Sequence, residues 1–346
     1  MKMGVILNNI GSPDAPDTKS VRRYLREFLM DPGVIELPFI FRFILVYLII
    51  TPFRAPKSAA KYQKIWTQAG SPLVSITESI ARKLEKYRNT FSVESGMVFQ
   101  NPSLLTAIKK LQQRNPDLEK IYFIPMYPQF SVATTEASEK KFKDVFEKNK
   151  NKIFKNSKAP EIYTLKPFYD HASFIQNTVE KIKTFDLDTY DTILFSYHGL
   201  PKSAILKNPH CRLDTKCCET GMKKNCYRSQ CFETTRLINI KLNLNLKTAS
   251  VTTFQSRLGP AEWIKPYTDE ILVQLAQQNK KRVLVVCPAF TVDCLETLEE
   301  IQLENRKAFM NEGGEAFDYV PCLNDDDQWC QDLATLIEDQ SQFTQL

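Results

Sequence analysis

The stretch MGVILNNIGSPDAPDTKSVRRYLREFLM (residues 3–30) decides the fold class. It begins with an apolar run, Met3 to Asn8, which leads into the turn signal Gly11-Ser12-Pro13-Asp14 and so predicts a buried β-strand. From Thr18 to Met30, apolar residues recur at intervals of three and four, which is typical of an amphipathic helix packed on one face. A buried strand followed by such a helix is the repeating unit of parallel-sheet α/β proteins.

The same alternation continues along most of the chain. Seven further strands are predicted at 96–99, 121–125, 162–165, 192–197, 249–254, 283–287 and 317–320. Helical patterns lie between most of them, at 104–114, 136–148, 173–184, 268–277 and 295–310.

Eight strands divide into two sets of about four, with the boundary near residues 162–169, after a stretch rich in Lys and Asn (147–158). We therefore predict an α/β fold with two domains, each built on a four-stranded parallel sheet flanked by helices. The predicted domains cover residues 1–165 and 166–323, and a C-terminal helix follows over 324–346. In open α/β sheets, ligands bind at the carboxyl ends of the strands, so the residues that follow strands are the candidates for function.

Composition excludes several classes of protein. With 43% hydrophobic and 25% charged residues, the 346-residue chain is neither disordered nor fibrous. It has only 10 glycines, and none forms a G-x-G-x-x-G or Walker A loop, which argues against dinucleotide and P-loop chemistry. The net charge of +6 is spread thinly and no long basic run occurs, so a nucleic-acid partner is not expected.

The longest apolar stretch is VIELPFIFRFILVYLIITPF (34–53), which Glu36, Pro38 and Arg42 interrupt. Its uninterrupted part, about ten residues around 43–50, is shorter than the roughly 20 that a membrane span needs. The segment is either a buried core element or an exposed apolar lip that meets a hydrophobic ligand or a membrane surface. The N-terminus shows no signal-peptide pattern, so we expect a cytoplasmic protein, which associates with a membrane if the apolar stretch is an exposed lip.

Three histidines occur, and one follows a predicted strand directly. His198 comes after residues 192–197, and Gly199-Leu200-Pro201 turns the chain at once, which puts the imidazole at a strand end. A lone histidine is commonly structural, so position alone leaves both a structural and a functional role open. His171 and His210 are expected at the surface.

A second strand end is followed by an acidic segment. Asp293 lies in the turn after residues 283–287, and Glu296, Glu300 and Glu304 follow at four-residue spacing. In an α-helix that spacing drifts by about 40° per step, and a local π-type turn would align the carboxylates better. The pattern fits either a solvated acidic face or a row of oxygen ligands for a hard divalent cation.

Five of the nine cysteines cluster within 21 residues, in the pattern C-x5-C-C-x7-C-x4-C. They are Cys211, Cys217, Cys218, Cys226 and Cys231. Structural zinc sites usually show two C-x(2–4)-C pairs, and only Cys226 and Cys231 have such a spacing. Iron–sulfur clusters tolerate irregular spacing if four thiolates converge. The residues alone leave a cluster, a zinc ion and free thiols open.

Several long motifs, in order, closely resemble the ferrochelatase family, whose members insert ferrous iron into a porphyrin to make haem. The motifs are ILNNIGSPD (6–14), VRRYLREFLMDPGVIELP (21–38), YQKIWTQAGSPL (62–73), YPQFSVATTEAS (127–138), FSYHGLP (195–201), TTFQSRLGPAEWIKPYTDE (252–270) and CPAFTVDCLETLEEI (287–301). The resemblance runs from about residue 4 to about residue 323. It implies a chelatase-like fold of two Rossmann-like domains around a porphyrin cleft.

The resemblance also implies roles for single residues. His198 and Glu296 match the catalytic residues at the iron site, and Asp293, Glu300 and Glu304 match an acidic helix that would bind incoming ferrous iron. Implied porphyrin contacts are Tyr62, Ser71, Tyr127, Phe99 and Asn9, and the apolar stretch 34–53 matches a lip of the porphyrin pocket. One departure is Val98, where many bacterial relatives carry an arginine that could meet a propionate.

Some ferrochelatases hold a 2Fe–2S cluster on an internal cysteine segment, and the resemblance extends that cluster to this chain. Its expected ligands are Cys211, Cys218, Cys226 and Cys231, with Cys217 as an alternate. The expected partners are protoporphyrin IX and ferrous iron, both as substrates. Two rival functions stay open: a chelatase for another tetrapyrrole, such as coproporphyrin or a cobalt-accepting precursor, and a non-enzymatic haem- or porphyrin-binding redox sensor.

Overall fold

Strand β1 (Met3–Gly11) lies inside its sheet, which explains why its sequence is apolar on both faces. It pairs in parallel with β2 (Phe91–Phe99) on one side and with β3 (Lys120–Pro125) on the other. Val5, Ile6 and Leu7 are fully buried. The alternating strand and helix pattern of the sequence thus predicts the local architecture correctly.

The computed structural model describes residues 2–35, 37–207, 211–213, 217–218, 226–243, 249–257, 259 and 261–346. The chain divides into two units. The first comprises Met1–Met126, Val132–Lys166 and Asp325–Leu346, and the second comprises Tyr127–Ser131 and Pro167–Asn324. The sequence-based boundaries at 165/166 and 323/324 each lie within one residue of a division point, whereas the short segment Tyr127–Ser131 groups with the second unit.

The first unit is built on a five-stranded sheet in the order β2-β1-β3-β4-β9. Its remaining strands are β4 (Glu161–Leu165) and β9 (Phe343–Gln345). Its helices before residue 160 are α1 (Thr18–Leu29), α2 (Phe39–Ile44), π1 (Leu45–Ile50), α3 (Thr51–Ile65), α4 (Pro72–Tyr87), α5 (Leu104–Arg114), π2 (Val132–Glu136) and α6 (Ala137–Ile153). A C-terminal helix and a 3₁₀ turn, described below, also belong to this unit.

The second unit is built on a four-stranded, all-parallel sheet in the order β6-β5-β7-β8. The strands are β5 (Thr192–His198), β6 (Ala249–Gln255), β7 (Arg282–Val286) and β8 (Ala316–Val320). Its helices are α7 (Ala172–Lys183), the 3₁₀ turn Leu187–Thr189, α8 (Lys202–Leu206), α9 (Tyr227–Leu242), α10 (Thr268–Gln277), π3 (Glu296–Asn305) and α11 (Arg306–Asn311).

The prediction of four strands in the N-terminal sheet is wrong by one strand. Strand β9, three residues long and ending one residue before the C-terminal Leu346, pairs antiparallel with β4. Phe343 of β9 packs edge-on against Tyr122 of β3, with ring centroids 4.6 Å apart. This apolar contact explains why so short a strand joins the sheet.

The predicted C-terminal helix forms as α12 (Asp327–Glu338), followed by the 3₁₀ turn Gln340–Gln342, and it belongs to the first unit. Ion pairs connect it to α4 and to the residue after α4: Lys83 with Asp327 at 2.8 Å and Arg88 with Glu338 at 3.0 Å. Trp329 and Leu333 on its inner face are fully buried. Apolar packing with peripheral ion pairs therefore fixes this helix.

The apolar stretch at 34–53 is an exposed lip, not a core element. Helices α2, π1 and α3 run without interruption over Phe39–Ile65, and this helix is long and apolar enough to cross a membrane by length and composition. Only 22% of the most apolar 18-residue part of this helix is buried. We define the apolar lip as the exposed hydrophobic residues of this helix: Phe39, Ile40, Phe41, Phe43, Ile44, Leu48, Ile49 and Phe53.

Candidate functional site

His198 ends strand β5, where the sequence predicts it, and its ring is held in one orientation. Its Nδ1 lies 2.6 Å from the carbonyl oxygen of Gly199. Because a carbonyl oxygen can only accept a hydrogen bond, Nδ1 carries the proton and the neutral ring keeps its lone pair on Nε2. That nitrogen can therefore bind a metal ion or accept a proton.

Neighbouring side chains fix the backbone and the surroundings of His198. The hydroxyl of Tyr227, on α9, donates to the carbonyl oxygen of His198 at 2.7 Å. The ring centroids of Trp263 and Phe290 each lie 6.4 Å from the centroid of the imidazole. The imidazole is half-buried in these largely apolar surroundings, which suits a flat, apolar ligand.

Asp293 is a buried carboxylate that organises the turn before π3. One oxygen accepts hydrogen bonds from the Tyr319 hydroxyl at 2.6 Å and the Thr297 hydroxyl at 2.9 Å. The other accepts from the Asn324 amide at 2.6 Å, and the Asn324 side-chain oxygen accepts from the Asp293 backbone N–H. Three donors satisfy the buried charge, so Asp293 anchors the start of the π-helix.

The acidic helix is a π-helix over ten residues, as the alignment of its carboxylates suggested. Glu296 and Glu300 are half-buried, and Glu304 is exposed. Burial raises the pKa of the Cys294 thiol, and the neighbouring Glu296 carboxylate raises it further. The Glu296 carboxylate therefore lies beside a thiol that stays protonated near neutral pH.

Glu300 is bound by the residue that follows β6. Its carboxylate accepts from the backbone N–H of Ser256 at 2.8 Å and from the Ser256 hydroxyl. Ser256 has φ +66°, a left-handed conformation that is uncommon outside glycine and Asn. The two hydrogen bonds help to hold this backbone conformation.

The residues predicted to contact a porphyrin in the first unit are mostly buried. Tyr62 packs edge-on against Trp66 at 6.2 Å, and Ser71 precedes α4. Asn9 donates to the Thr77 hydroxyl at 2.9 Å. Phe99 at the end of β2 packs edge-on against Phe28 at 5.4 Å. Their porphyrin contacts stay a prediction.

Tyr127 is the one predicted porphyrin contact that belongs to the second unit, where it is half-buried. At the departure from the family pattern, Val98 is buried in β2. Two residues after Val98, the side-chain oxygen of Gln100 accepts a hydrogen bond from the guanidinium of Arg23 at 2.7 Å. Arg23 also pairs with Asp14. The end of β2 therefore has a cationic side chain nearby, but that side chain belongs to Arg23 of α1.

The five clustered cysteines lie near one another. Burial raises the pKa of Cys218 to about 12, and the nearby Cys217 and Cys226 add to the rise. Burial also raises the pKa of Cys231, again with Cys226 and Cys218 adding to it. The pKa of Cys211 is raised by burial and by its neighbours. These mutual effects place all five thiols in one neighbourhood.

This neighbourhood has no metal-site geometry within the described part of the chain, where no three His, Cys, Asp or Glu side chains are grouped to hold a metal ion. A cationic donor is present, since Arg228 donates to the Cys218 sulfur at 2.9 Å. Much of the loop between Cys211 and Cys226 lies outside the described residues, and so does His210, which precedes this loop. Cysteine is the residue type that binds iron–sulfur clusters, so the residues present fit such a group by type, and the cluster is not confirmed.

Sequence reasoning missed two residues of the second unit that bind the predicted site residues. They are Gln255, which donates to the Glu296 carbonyl oxygen at 3.0 Å, and Ser256, which binds Glu300. Both residues lie in the motif TTFQSR (252–257). The sequence signal that could have pointed to them is an amide and a hydroxyl side chain at the end of a predicted strand. Their partners, however, lie more than 40 residues away in the sequence.

Comparisons with known proteins agree with the motifs. The family model described as Ferrochelatase matches residues 2–341. Solved structures with a similar fold include SirB from Bacillus subtilis with Fe³⁺, at a TM-score of 0.53 and 8% identity, covering 98% of this chain and 95% of that one. A SirB structure from Bacillus subtilis subspecies spizizenii, in complex with cobalt and titled a sirohydrochlorin chelatase, gives a TM-score of 0.51 and 8% identity, covering 99% and 95%.

Relatives similar in sequence carry one name. A protein of Bdellovibrio bacteriovorus named Ferrochelatase is 42% identical over 341 residues, which is 97% of this chain and 99% of that protein. A Ferrochelatase of Coxiella burnetii (Dugway 5J108-111) is 40% identical, over 97% of this chain and 93% of that protein. A Ferrochelatase of Legionella pneumophila (Lens) is 38% identical, over 98% of this chain and 100% of that protein. With a family model and full-length relatives in agreement, the chain belongs to the ferrochelatase family.

Proposed function

We propose that the protein inserts ferrous iron into protoporphyrin IX to form protohaem, the last step of haem synthesis. The observation that carries this function is the state of His198: its Nδ1 proton is committed to a carbonyl oxygen, which leaves Nε2 as a base or ligand. Family membership and the carboxylates of π3 support the same reaction.

The reaction exchanges two pyrrole protons for one ferrous ion, with no change of oxidation state. A planar porphyrin has no room for a metal ion that still carries water, so a site that bends the ring exposes a nitrogen lone pair. In this proposal, His198 Nε2 accepts pyrrole protons or binds the iron. Glu296 binds the incoming iron or helps to remove protons, since His and Glu can both serve as base and as ligand.

The other acidic residues would form the iron path. Exposure falls from Glu304, which is exposed, to Glu300, which is half-buried, and to Asp293, which is buried. Carboxylates that line such a gradient can pass a divalent cation inward. Binding at Asp293 would require the exchange of one of its three hydrogen bonds, so we assign it the innermost position and chiefly an anchoring role.

The choice of porphyrin separates the proposal from its rivals. Purified protein would be incubated without oxygen with ferrous iron and either protoporphyrin IX or coproporphyrin, and metalloporphyrin absorption would be followed. Faster insertion into protoporphyrin IX supports the proposal, and preference for coproporphyrin would reassign the substrate. Binding of both porphyrins without any insertion would instead favour a sensor.

We also propose a 2Fe–2S cluster on Cys211, Cys218, Cys226 and Cys231, with Cys217 as the alternate to Cys218. Three observations support it: the five thiols are neighbours, Cys218, Cys226 and Cys231 are buried, and the Arg228 guanidinium beside Cys218 would offset thiolate charge. When bound, the group would supply one-electron chemistry and a covalent link across the segment. We assign it a stabilising or sensing role outside the insertion chemistry.

Purified protein is expected to be reddish-brown, with the visible absorption and the reduced-state electron spin resonance of a 2Fe–2S cluster. Replacing Cys226 or Cys231 by serine should bleach it, because the loss of one thiolate leaves an iron under-coordinated. Cys330→Ser, at a buried cysteine of the first unit, is the matched control and should keep the colour. One zinc ion per chain without acid-labile sulfide would replace the cluster by a zinc site.

We propose that the apolar lip makes a peripheral contact with a membrane, and that the protein is otherwise cytoplasmic. The helix over Phe39–Ile65 buries one face, including Val46, Ala55 and Ala59, and exposes the lip on another, which suits a helix that lies on a bilayer. No Asp or Glu occurs between residues 37 and 77, whereas Arg54, Lys57, Lys61 and Lys64 follow the lip. This charge favours an anionic surface.

The double substitution Ile40→Ser and Phe41→Ser should weaken binding to vesicles of phosphatidylcholine and phosphatidylglycerol by about tenfold or more, since burying one such side chain is worth roughly 2 kcal/mol. Flotation or sedimentation measures the bound fraction. Ile240→Ser, at a similarly exposed residue on α9, is the control and should bind like the wild type. Equal binding by all three proteins would remove the lip from the membrane contact.

A further inference from the structure

Gln255 is a buried amide at the carboxyl end of the β6 strand, and it is 3% exposed. In the sheet order β6-β5-β7-β8, strand β5 separates β6 from β7. His198 ends β5 and pairs in register with Gln255, while Glu296 begins the helix that follows β7. A side chain that joins β6 to that helix must therefore cross the end of the His198 strand.

The hydrogen bonds of Gln255 make this crossing. Its Nε2 donates to the carbonyl oxygen of Glu296 at 3.0 Å. Its Oε1 accepts from the hydroxyl of Ser196, on the His198 strand, at 2.7 Å. A carbonyl oxygen accepts and cannot donate, so only one orientation of the amide satisfies both partners.

The backbone of Gln255 adds a third connection, to the turn after His198. Its carbonyl oxygen accepts from the N–H of Gly199 at 2.7 Å. The approach is so close that a Cβ on Gly199 would lie 2.8 Å from this oxygen, which explains why the turn carries glycine. One residue thus binds the turn that holds the imidazole and the first residue of the acidic helix.

We propose that Gln255 is a positioning residue for iron insertion, and that its amide fixes Glu296 relative to His198. The inference rests on the proposed function, because it assumes that these two residues act on the iron. Residues that orient a metal ligand commonly contribute about 10- to 100-fold to affinity or activity. Misplacement of a reacting group by about 1 Å can cost a similar factor.

Gln255→Met tests the proposal, because methionine keeps the length of the side chain and removes every hydrogen bond of the amide, including the one that the Cys287 thiol donates to Oε1 at 3.6 Å. Turnover should fall about 10- to 100-fold, while the KM for protoporphyrin IX changes by less than about twofold. Ser196→Ala is the milder second variant, since it leaves the amide in place and removes one donor to Gln255 Oε1, together with the contact of that hydroxyl with the Thr268 hydroxyl at 2.8 Å. It should lower turnover less and in the same direction.

The matched control is Gln129→Met. Gln129 is equally buried in the same unit, and its amide donates to the Thr234 hydroxyl at 3.1 Å and to the Pro288 carbonyl oxygen at 3.3 Å. It binds neither His198 nor Glu296. The control should lose a similar amount of thermal stability and keep turnover within about twofold of the wild type.

A double variant separates positioning from general damage. If Gln255 acts through Glu296, then adding Gln255→Met to Glu296→Gln should lower turnover by less than about twofold further. Turnover of Gln255→Met equal to that of Gln129→Met, or full additivity in the double variant, would overturn the inference. If Glu296→Gln and His198→Ala were themselves fully active, the proposed function would fail instead, and the two failures are distinguishable.

Discussion

His198→Ala is expected to reduce the turnover of iron insertion by at least about 100-fold, because general base catalysis contributes roughly 10²- to 10⁴-fold and the variant removes the proposed base or iron ligand. Porphyrin binding should stay nearly intact, since the proposal places His198 at the centre of the macrocycle rather than at its periphery, and the adjacent rings of Trp263 and Phe290 remain. Haem formation measures turnover, and quenching of porphyrin fluorescence measures binding.

The control for this variant is His171→Ala. His171 caps α7, where its side chain accepts from the Ser173 N–H at 3.3 Å, so its loss should cost some stability and leave turnover near that of the wild type. A His198→Ala protein that kept more than a few per cent of wild-type turnover would contradict the catalytic assignment.

Glu296→Gln is expected to lower turnover by about 10- to 100-fold, because the amide keeps the shape and removes both the charge and the base. Gln255 donates a hydrogen bond to the backbone carbonyl oxygen of Glu296, and this bond does not depend on the side chain at position 296. The substituted side chain should therefore occupy the same place. Steady-state rates at varied ferrous iron concentration, with protoporphyrin IX saturating, measure the effect.

Glu312→Gln, at an exposed carboxylate just after α11, serves as the control and should behave like the wild type. If Glu296→Gln also turned over normally, with an unchanged dependence on iron, the carboxylates of π3 would be a solvated helix face. The iron path over Glu300 and Glu304 would then lose its support.

Local patterns predicted much of the fold. Each strand that the periodicity indicated is present, and β5 and β7 end within one residue of the predicted positions. The helix predicted at 295–310 forms, and its first part is a π-helix, the geometry that aligns carboxylates at four-residue spacing better than an α-helix does. These features are encoded by neighbours in the sequence, which is why sequence alone can reveal them.

Features that depend on distant contacts were missed. Strand β9 is too short for a period to show, and its place follows from packing against β3 and β4. The helix over Phe39–Ile65 contains Pro52 and Pro56, which predict a break, yet it continues through both. The buried bonds of Asp293 and the crossing amide of Gln255 join residues whose proximity only the folded sheet creates.

Single-turnover iron insertion is the measurement that tests the account most directly. Enzyme in excess, loaded with protoporphyrin IX, would be mixed with ferrous iron without oxygen, and the change from free-base porphyrin to haem absorption followed in time. We expect rapid conversion by the wild type, and conversion by His198→Ala no faster than in buffer, although both proteins bind the porphyrin. Conversion at equal rates by the two proteins, or none by the wild type, would contradict the account.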